Sequence, residues 1–212
     1  MDYHLVKRTI DILGSFVLLV IFSPIILMTS IFIKLTSKGP VFADIPPRVG
    51  KNGELFYPFK FRSMIVNAHS LLREDPKFKK LYEEYKKSSY KLFDDPRVTP
   101  VGKFIRKHSI DEIPQLLNVL KGEMSIVGPR PYYTDELKEQ QQAYPHTKKL
   151  VKEVLSVKPG ITGYWQVSGR SEVNFDKRIE MDAYYAHKKS IFLDILILLK
   201  TPWVMLSGKG AV

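Results

Sequence analysis

The longest apolar run of the chain lies near its start. Residues 10–33 are almost wholly apolar, broken only by Asp11 and a few small polar residues, and a run of about this length suits a bilayer-spanning helix. Pro24, near the middle, removes one backbone donor and crowds the carbonyl of Val20, so the pattern predicts a kink where Ser23 can satisfy part of the freed backbone. The run lacks a following small-x-small cleavage site, which disfavours a secretory signal.

Cations flank this run on both sides: Lys7 and Arg8 precede it, and Lys34 and Lys38 follow it. Equal charge on the two flanks gives no positive-inside asymmetry. The residues alone therefore leave two interpretations open, a kinked helix that crosses the bilayer or a re-entrant helix that returns to the side it entered.

The next pattern is that of a β-hairpin. Val41-Phe42 and residues 55–62 flank Asn52-Gly53, and Asn-Gly between apolar segments is a strong hairpin signal. Aromatic and basic residues alternate at the end of this stretch, so on a strand Lys60 and Arg62 share one face. That face fits either an ordinary solvated strand surface or an anion site.

Two later segments have the apolar pattern of helices. Four residues share one face of a basic amphipathic helix: Phe78, Leu81, Tyr82 and Tyr85. This face suits equally a membrane surface and packing onto the domain. Residues 191–206 are strongly apolar but interrupted by Asp194, Lys200 and Pro202, and they are too short to span a bilayer comfortably. This segment fits an interfacial helix or a buried core helix.

The stretch from Ser109 to Pro131 combines helix, strand and turn signals. Ser109-x-x-Glu112 has the form of a capping box, and apolar residues then recur at helical spacing until Gly122, a helix stop. Residues 124–127 predict a short buried strand, and Gly128-Pro129-Arg130-Pro131 predicts a stiff turn. Upstream, Asp94-Asp95-Pro96-Arg97 also reads as a turn.

The carboxylates of Asp111 and Glu112 stand next to the predicted helix start, where the helix dipole favours anions. An ionised aspartate can attack phosphorus, a neighbouring glutamate can help to hold Mg²⁺ with substrate phosphates, and Arg130 offers a planar fork for phosphate oxygens. Taken alone, however, a capping box more often only starts a helix.

The net charge and the absence of cysteine limit the kinds of ligand that the chain can bind. The net charge of +11 over 212 residues implies an anionic partner, which nucleic acid, acidic lipid headgroups or phosphorylated substrates would all supply. The chain has no cysteine, which excludes disulfides and thiolate metal sites. A glycine-rich segment from Lys158 to Arg170 could approach a phosphate or base closely, with Trp165 lining a pocket, or could be a turn around a buried aromatic ring.

The order DEIPQLLNVLKGEMSIVGPRP closely resembles the signature of the bacterial sugar transferases, the monotopic phosphoglycosyl transferases. The resemblance extends from about Lys7 to Gly208 and includes these further matches: Lys7-Arg8, Asp11, Ser23-Pro24, Lys60-Phe-Arg62-Ser-Met64, and the PGITG…Q…GR pattern that ends at Arg170. It implies an α+β, mostly α, monotopic membrane protein. Residues 1–39 would form a re-entrant helix-break-helix anchor broken at Ser23-Pro24, and residues 40–212 a cytoplasmic catalytic domain with interfacial amphipathic helices and a small β-hairpin or sheet.

The resemblance also implies an activity at the cytoplasmic face of the bacterial inner membrane. Asp111 would attack the phosphorus nearest the sugar of a UDP-sugar, release UMP and carry the phosphosugar until polyprenyl phosphate, here undecaprenyl phosphate, displaces it. Glu112 would bind Mg²⁺, and four cations would offset phosphate charge: Lys60, Arg62, Arg130 and Arg170. The partners would be the UDP-sugar, undecaprenyl phosphate and membrane lipids, and not nucleic acid. The resemblance is also compatible with a homodimer. The reaction would be the first membrane step of polysaccharide assembly.

Two other interpretations remain open at this point. The chain could be a membrane-tethered basic module that binds nucleic acid or anionic lipid, although the carboxylate pair would repel a polyanion and the sequence has no recognised nucleic-acid motif. It could also be a direct glycosyltransferase that releases UDP. The identity of the nucleotide product separates these classes.

Overall fold

The computed structural model describes residues 2–88, 90, 92, 94–169 and 173–207. In chain order the helices and strands are α1 (Tyr3–Thr36), β1 (Arg48–Val49), β2 (Leu55–Phe56), α2 (Ala68–Glu74), α3 (Lys79–Lys87), α4 (Pro100–Lys107), α5 (Leu116–Lys121), β3 (Ser125–Val127), β4 (Tyr132–Tyr133), α6 (Thr134–Ala143), α7 (Lys148–Val154), β5 (Gly160–Thr162), α8 (Tyr164–Ser168), α9 (Phe175–Lys188) and α10 (Ile191–Ser207). Short 3₁₀ helices cover Lys51–Gly53, Pro76–Phe78, Ile110–Gln115 and Pro145–Thr147. The mostly helical α+β class predicted from the sequence is confirmed.

The first helix, α1, is continuous over 34 residues and contains Pro24. The re-entrant helix-break-helix anchor of residues 1–39 stays a prediction. The helix continues through Pro24 because the hydroxyl of Ser23 donates to the Val20 carbonyl at 2.8 Å, the acceptor that the missing N–H of Pro24 leaves free. The helix is long and apolar enough to cross a membrane.

Both arms of α1 pack onto the same domain. In the first arm, the Arg8 guanidinium donates to the carbonyls of Val119 and Leu120 at the end of α5, at 2.7 and 2.9 Å. In the second arm, Ile33 is buried in a cluster with Phe61 and Ile105. The buried positions of the helix are Asp11, Ser15, Thr29 and Ile33, so the stretch around Pro24 leaves its apolar side chains uncovered.

The predicted hairpin is present, with shorter strands. β1 pairs antiparallel with β2 and, on its other side, with β4, giving the order β2-β1-β4. The turn contains Asn52 in the left-handed region at φ 57°, which asparagine tolerates better than most residues. The outer part of the predicted hairpin is a single bridge between Phe42 and Phe61.

A second sheet of two strands lies beneath the Gly-Pro-Arg-Pro turn. β3 pairs with β5 in parallel, with Ser125 opposite Gly160, which confirms the buried strand predicted at residues 124–127. The backbones of the two strands approach so closely that a Cβ added at Gly160 would lie 2.0 Å from the Gly128 nitrogen. Glycine is thus required here by space, and the close pairing fixes where the turn begins.

The two helices whose location the sequence left open both pack onto the domain. The apolar face of α3 contacts a cluster that contains Leu72, Tyr90 and Leu92, so its apolar residues serve the core. In α10, Ile197 is 2% exposed in the core while Trp203 is 77% exposed. α10 therefore has one core face and one uncovered apolar face.

Candidate active site

The segment that carries Asp111 and Glu112 is a 3₁₀ helix, not the start of an α-helix. Ser109 lies in the left-handed region at φ 55° and makes no side-chain capping bond, so the predicted capping box is wrong. Pro114 explains the difference, because it lacks the N–H that an α-helix over this segment would need to bond to the carbonyl of Ile110. α5 begins only at Leu116.

The ammonium group of Lys60 contacts both carboxylates. Its ammonium nitrogen lies 3.1 Å from Oδ2 of Asp111 and 3.1 Å from Oε1 of Glu112. The main chain fixes this arrangement, since the Phe61 N–H donates to the Asp111 carbonyl at 2.9 Å. The side chain of Asp111 is 3% exposed and that of Glu112 is 38% exposed. One carboxylate is thus buried beside the lysine and the other reaches solvent.

The pKa values of the two carboxyl groups are shifted in opposite directions. Burial raises the pKa of Asp111 above its usual range, against the opposing charge of Lys60. Burial would also raise the pKa of Glu112, but the charge and hydrogen bond of Lys60, helped by Arg130 and Arg48, hold it below the usual range. The site therefore combines a destabilised carboxylate with a firmly ionised one, a pattern found at reactive centres.

The pair lines a cavity of about 430 Å³ with several arginines, among them Arg48, Arg106 and Arg130. The Arg48 guanidinium lies 3.2 Å from the centre of the Tyr133 ring. This collection of fixed cations around two carboxylates suits a ligand that carries phosphate groups.

Arg62 lines the cavity, and its guanidinium also binds the chain that follows α1. Four of its five N–H donors are used: Nε binds the Pro40 carbonyl at 2.6 Å, Nη1 the Lys38 carbonyl at 2.9 Å, and Nη2 the carbonyl and hydroxyl of Ser37 at 3.1 and 3.0 Å. Its guanidinium thus holds the chain that leaves α1. These contacts occupy most of its donors, and the role of Arg62 in offsetting phosphate charge stays a prediction.

Arg130 lies at the cavity as predicted, and its guanidinium carbon is 5.7 Å from the ring centre of Trp165. Arg170, the remaining predicted phosphate ligand, lies outside the described residues, so that assignment stays a prediction. The sequence did not identify Arg48, Arg106 or Gln166 as cavity residues. Arg48 enters through the pairing of β1 with β4, a long-range contact that the hairpin pattern does not reveal.

The carboxylates of the cavity resemble a Mg²⁺ site that is completed by a ligand. Among the described residues no group of three or more His, Cys, Asp or Glu side chains could hold a metal. Mg²⁺, however, is commonly held by one or two carboxylates together with substrate phosphates and water. Asp111 and Glu112 converge on one cation, Lys60, so they fit a metal shared with a phosphate ligand better than one held by protein alone.

The chain belongs to the bacterial sugar transferase family, whose family model matches residues 2–208. It is 44% identical over 209 residues to an undecaprenyl-phosphate galactose phosphotransferase of Salmonella typhimurium, covering 97% of this chain and 41% of that protein. It is 42% identical over 212 residues to an uncharacterized sugar transferase of Haemophilus influenzae, covering 98% of this chain and 42% of that protein.

A shorter relative aligns over most of both lengths. The exopolysaccharide production protein ExoY of Rhizobium meliloti is 41% identical over 203 residues, which cover 95% of this chain and 86% of that protein. The chain thus spans about two fifths of the length of the Salmonella and Haemophilus relatives and most of the length of ExoY.

Proposed function

We propose that the protein transfers a sugar-1-phosphate from a UDP-sugar to undecaprenyl phosphate through a phosphosugar covalently bound to Asp111. The observation that carries the proposal is the arrangement of Asp111 and Glu112, both 3.1 Å from the Lys60 ammonium, on the wall of an arginine-lined cavity. Family membership and the names of the relatives support the same reaction class.

In the first step a carboxylate oxygen of Asp111 attacks the phosphorus that carries the sugar. The bond from that phosphorus to the oxygen bridging the two phosphates breaks, and UMP leaves with the bonding electron pair. The product is an acyl phosphate between Asp111 and the sugar phosphate. The raised pKa of Asp111 matches a nucleophile, since a poorly compensated carboxylate is more basic. Lys60 and Arg130 offset the charge that develops on the phosphate oxygens.

In the second step an oxygen of undecaprenyl phosphate attacks the same phosphorus. The bond to Asp111 breaks, the carboxylate is restored, and undecaprenyl diphosphate sugar is the product. Since the first product leaves before the second substrate reacts, we expect ping-pong kinetics. The same cations serve both steps, because both transition states place negative charge on one phosphoryl group.

Mg²⁺ belongs to this proposal as a shared ligand of Glu112 and the substrate phosphates. Glu112 suits that role because its pKa is held low and its carboxylate is partly exposed. When bound, the metal would neutralise phosphate charge and orient the leaving group.

The proposed membrane arrangement is supported by the contacts of α1. Both of its arms contact one domain, while its apolar middle is exposed, with Phe16 at 62% and Met28 at 57%. This supports a re-entrant helix that keeps the catalytic domain on one side of the membrane, which we propose to be the cytoplasmic face of the inner membrane. The exposed face of α10, with Trp203 near its end, suits the interface beside it. The active site would then lie at headgroup depth, where a lipid phosphate and a soluble nucleotide can meet.

The test is the nucleotide product. Detergent-extracted protein is incubated with a panel of UDP-sugars, with and without undecaprenyl phosphate and Mg²⁺. The panel begins with UDP-galactose because galactose appears in the names of several relatives. We expect catalytic UMP release that requires both additions, and a stoichiometric burst of UMP with a sugar-phosphate adduct on the protein when the lipid is omitted.

Other products would decide against the proposal. Release of UDP would identify a direct glycosyltransferase. Absence of turnover with every donor, together with tight binding of nucleic acid or anionic vesicles, would support the basic binding module.

A further inference from the structure

The turn that carries Arg130 is fixed at both ends by main-chain hydrogen bonds. Before it, the Gly128 N–H donates to the Thr162 carbonyl at 2.9 Å, and the Gly160 N–H donates to the Pro129 carbonyl at 2.8 Å. After it, β4 pairs with β1. Between these two anchors, the main chain of Arg130 is held by a side chain from α9.

That side chain is Asp182. Its Oδ2 accepts the N–H of Arg130 at 3.3 Å and the phenol O–H of Tyr132 at 2.8 Å. Because these two residues flank Pro131, a single oxygen fixes the chain on both sides of the proline. Asp182 is 0% exposed, and α9 is held in the core by Ile179. The carboxylate is therefore a rigid reference point for the turn.

The surroundings of Asp182 make it costly as a purely structural group. Burial raises its pKa to about 7, although the Tyr132 hydroxyl, the Arg130 N–H and the charge of Arg178 all favour the ionised form. Within the described part of the chain, Oδ1 of Asp182 and two nitrogens of Arg178, Nε and Nη2, are buried without a hydrogen-bond partner. Unpaired buried polar atoms lower stability, so packing alone would not favour these groups.

The contact lies close to the reacting groups. Arg130 lines the same cavity as Glu112, and its charge contributes to the low pKa of that glutamate. A change in the backbone at Arg130 would therefore move a cation relative to the bound phosphates and to the carboxylate pair. A displacement of about 1 Å in such a group can cost a large part of the rate.

We infer that Asp182 is a positioning residue, which acts through the main chain of Arg130 and the hydroxyl of Tyr132 to direct the Arg130 guanidinium at the phosphates in the cavity. The inference rests on the proposed function, because it assumes a diphosphate substrate. Asp182 itself touches neither substrate nor reacting atoms in this account.

A double-mutant cycle tests it. Asp182→Ala should lower kcat/KM for the UDP-sugar about ten- to hundredfold, the range expected for losing a charge-assisted hydrogen-bond pair. Asp182→Asn, which keeps one acceptor oxygen, should recover part of the loss. In an Arg130→Ala background, Asp182→Ala should have almost no further effect, since the group that it positions is gone. Losses that multiply in the double variant would overturn the inference.

A second measurement separates this inference from the proposed function. Hydrogen exchange at the Arg130 amide should be slow in the native protein and clearly faster in Asp182→Asn and in Tyr132→Phe, which retains the ring and loses only the phenol donor. If the protein released no UMP while the amide showed this change, the proposed function would fail and the contact would stand. Unchanged exchange in both variants would overturn the inference even in an active enzyme.

Discussion

Two buried aspartates line the same cavity in opposite surroundings. Asp95 receives two hydrogen bonds from its neighbour Arg97, from Nε at 2.8 Å and from Nη2 at 2.6 Å, and a third from the Arg97 main-chain N–H at 3.0 Å. Asp111 meets a lysine that is shared with a second carboxylate. The planar guanidinium of Arg97 compensates the charge of Asp95 fully. Asp111 has only a share of the single charge on the Lys60 ammonium.

The difference appears in the direction of their pKa shifts. Burial acts against the ionised form of both groups, but the hydrogen bonds and charge of Arg97 hold the pKa of Asp95 below its usual range. For Asp111 burial prevails over Lys60, and the pKa is raised. Burial therefore does not distinguish a structural carboxylate from one proposed to be the nucleophile. What distinguishes them is how completely the partner compensates for the lost water.

The largest expected effect is on activity at Asp111. Asp111→Asn keeps the shape and removes the proposed nucleophile, so we expect turnover to fall by at least about a thousandfold and no sugar-phosphate adduct to form. Because the native carboxyl has a raised pKa, burying its charge works against folding at neutral pH. The melting temperature of the variant should therefore be unchanged or higher.

Mass spectrometry of the protein after incubation with a UDP-sugar alone, paired with thermal unfolding, checks both parts. An adduct that survives in Asp111→Asn would exclude this residue as the nucleophile. A marked fall in the melting temperature would mean that Lys60 compensates Asp111 more fully than the structure indicates.

At Asp95 we expect the reverse. Asp95→Asn leaves the Arg97 charge buried without its carboxylate, and breaking such a pair typically costs about 3–5 kcal/mol. Urea unfolding measures the change in the free energy of unfolding, with Asp111→Asn as the matched control for a buried Asp-to-Asn change. A loss at residue 95 no larger than at residue 111 would remove the distinction between the two aspartates.

The same contrast applies to Lys60 and Arg62, which stand two residues apart. Arg62→Ala removes four hydrogen bonds that hold the chain after α1, and should cost roughly 2–4 kcal/mol of stability with KM for the UDP-sugar unchanged. Lys60→Met, its control, should lower kcat/KM with a smaller loss of stability. Steady-state kinetics and urea unfolding on both variants give the comparison, and a raised KM in Arg62→Ala would support the predicted contact of Arg62 with substrate phosphate.

Local signals in the sequence predicted local structure well. Asn52-Gly53 marked a turn because asparagine and glycine tolerate left-handed backbone, and Gly122 ends α5 at φ 87° for the same reason. Ser23 satisfies the carbonyl that Pro24 leaves free. In each case the cause lies within a few residues of its effect, so a sequence pattern can contain it.

The sequence did not reveal features whose cause is distant in the chain or for which two local signals compete. Arg62 has the alternation expected of a cation beside Lys60, but the end of α1 lies within its reach, and only the fold brings these together. At Ser109 a capping-box pattern was overruled by Pro114 five residues later. Asp182 gave no signal of its link to Arg130, because the two are 52 residues apart in the chain.

The smallest expected effect is a difference between the pH range in which activity is lost and the pH range in which stability is lost. The raised pKa of Asp111 means that its ionised form, the proposed nucleophile, is lost as pH falls through a value above 3.8, its ordinary one. Asp95 behaves oppositely: its lowered pKa contributes stability at pH values above 3.8, its unfolded value, and this is lost only as pH falls through the lower folded value. We therefore expect kcat/KM to decline in a range where the free energy of unfolding is still maintained by the Asp95–Arg97 pair.

Parallel pH profiles of kcat/KM and of urea unfolding check this. If unfolding set in at the same pH as the loss of activity, inactivation would report the fold, and the two aspartates would no longer differ in the way their partners imply.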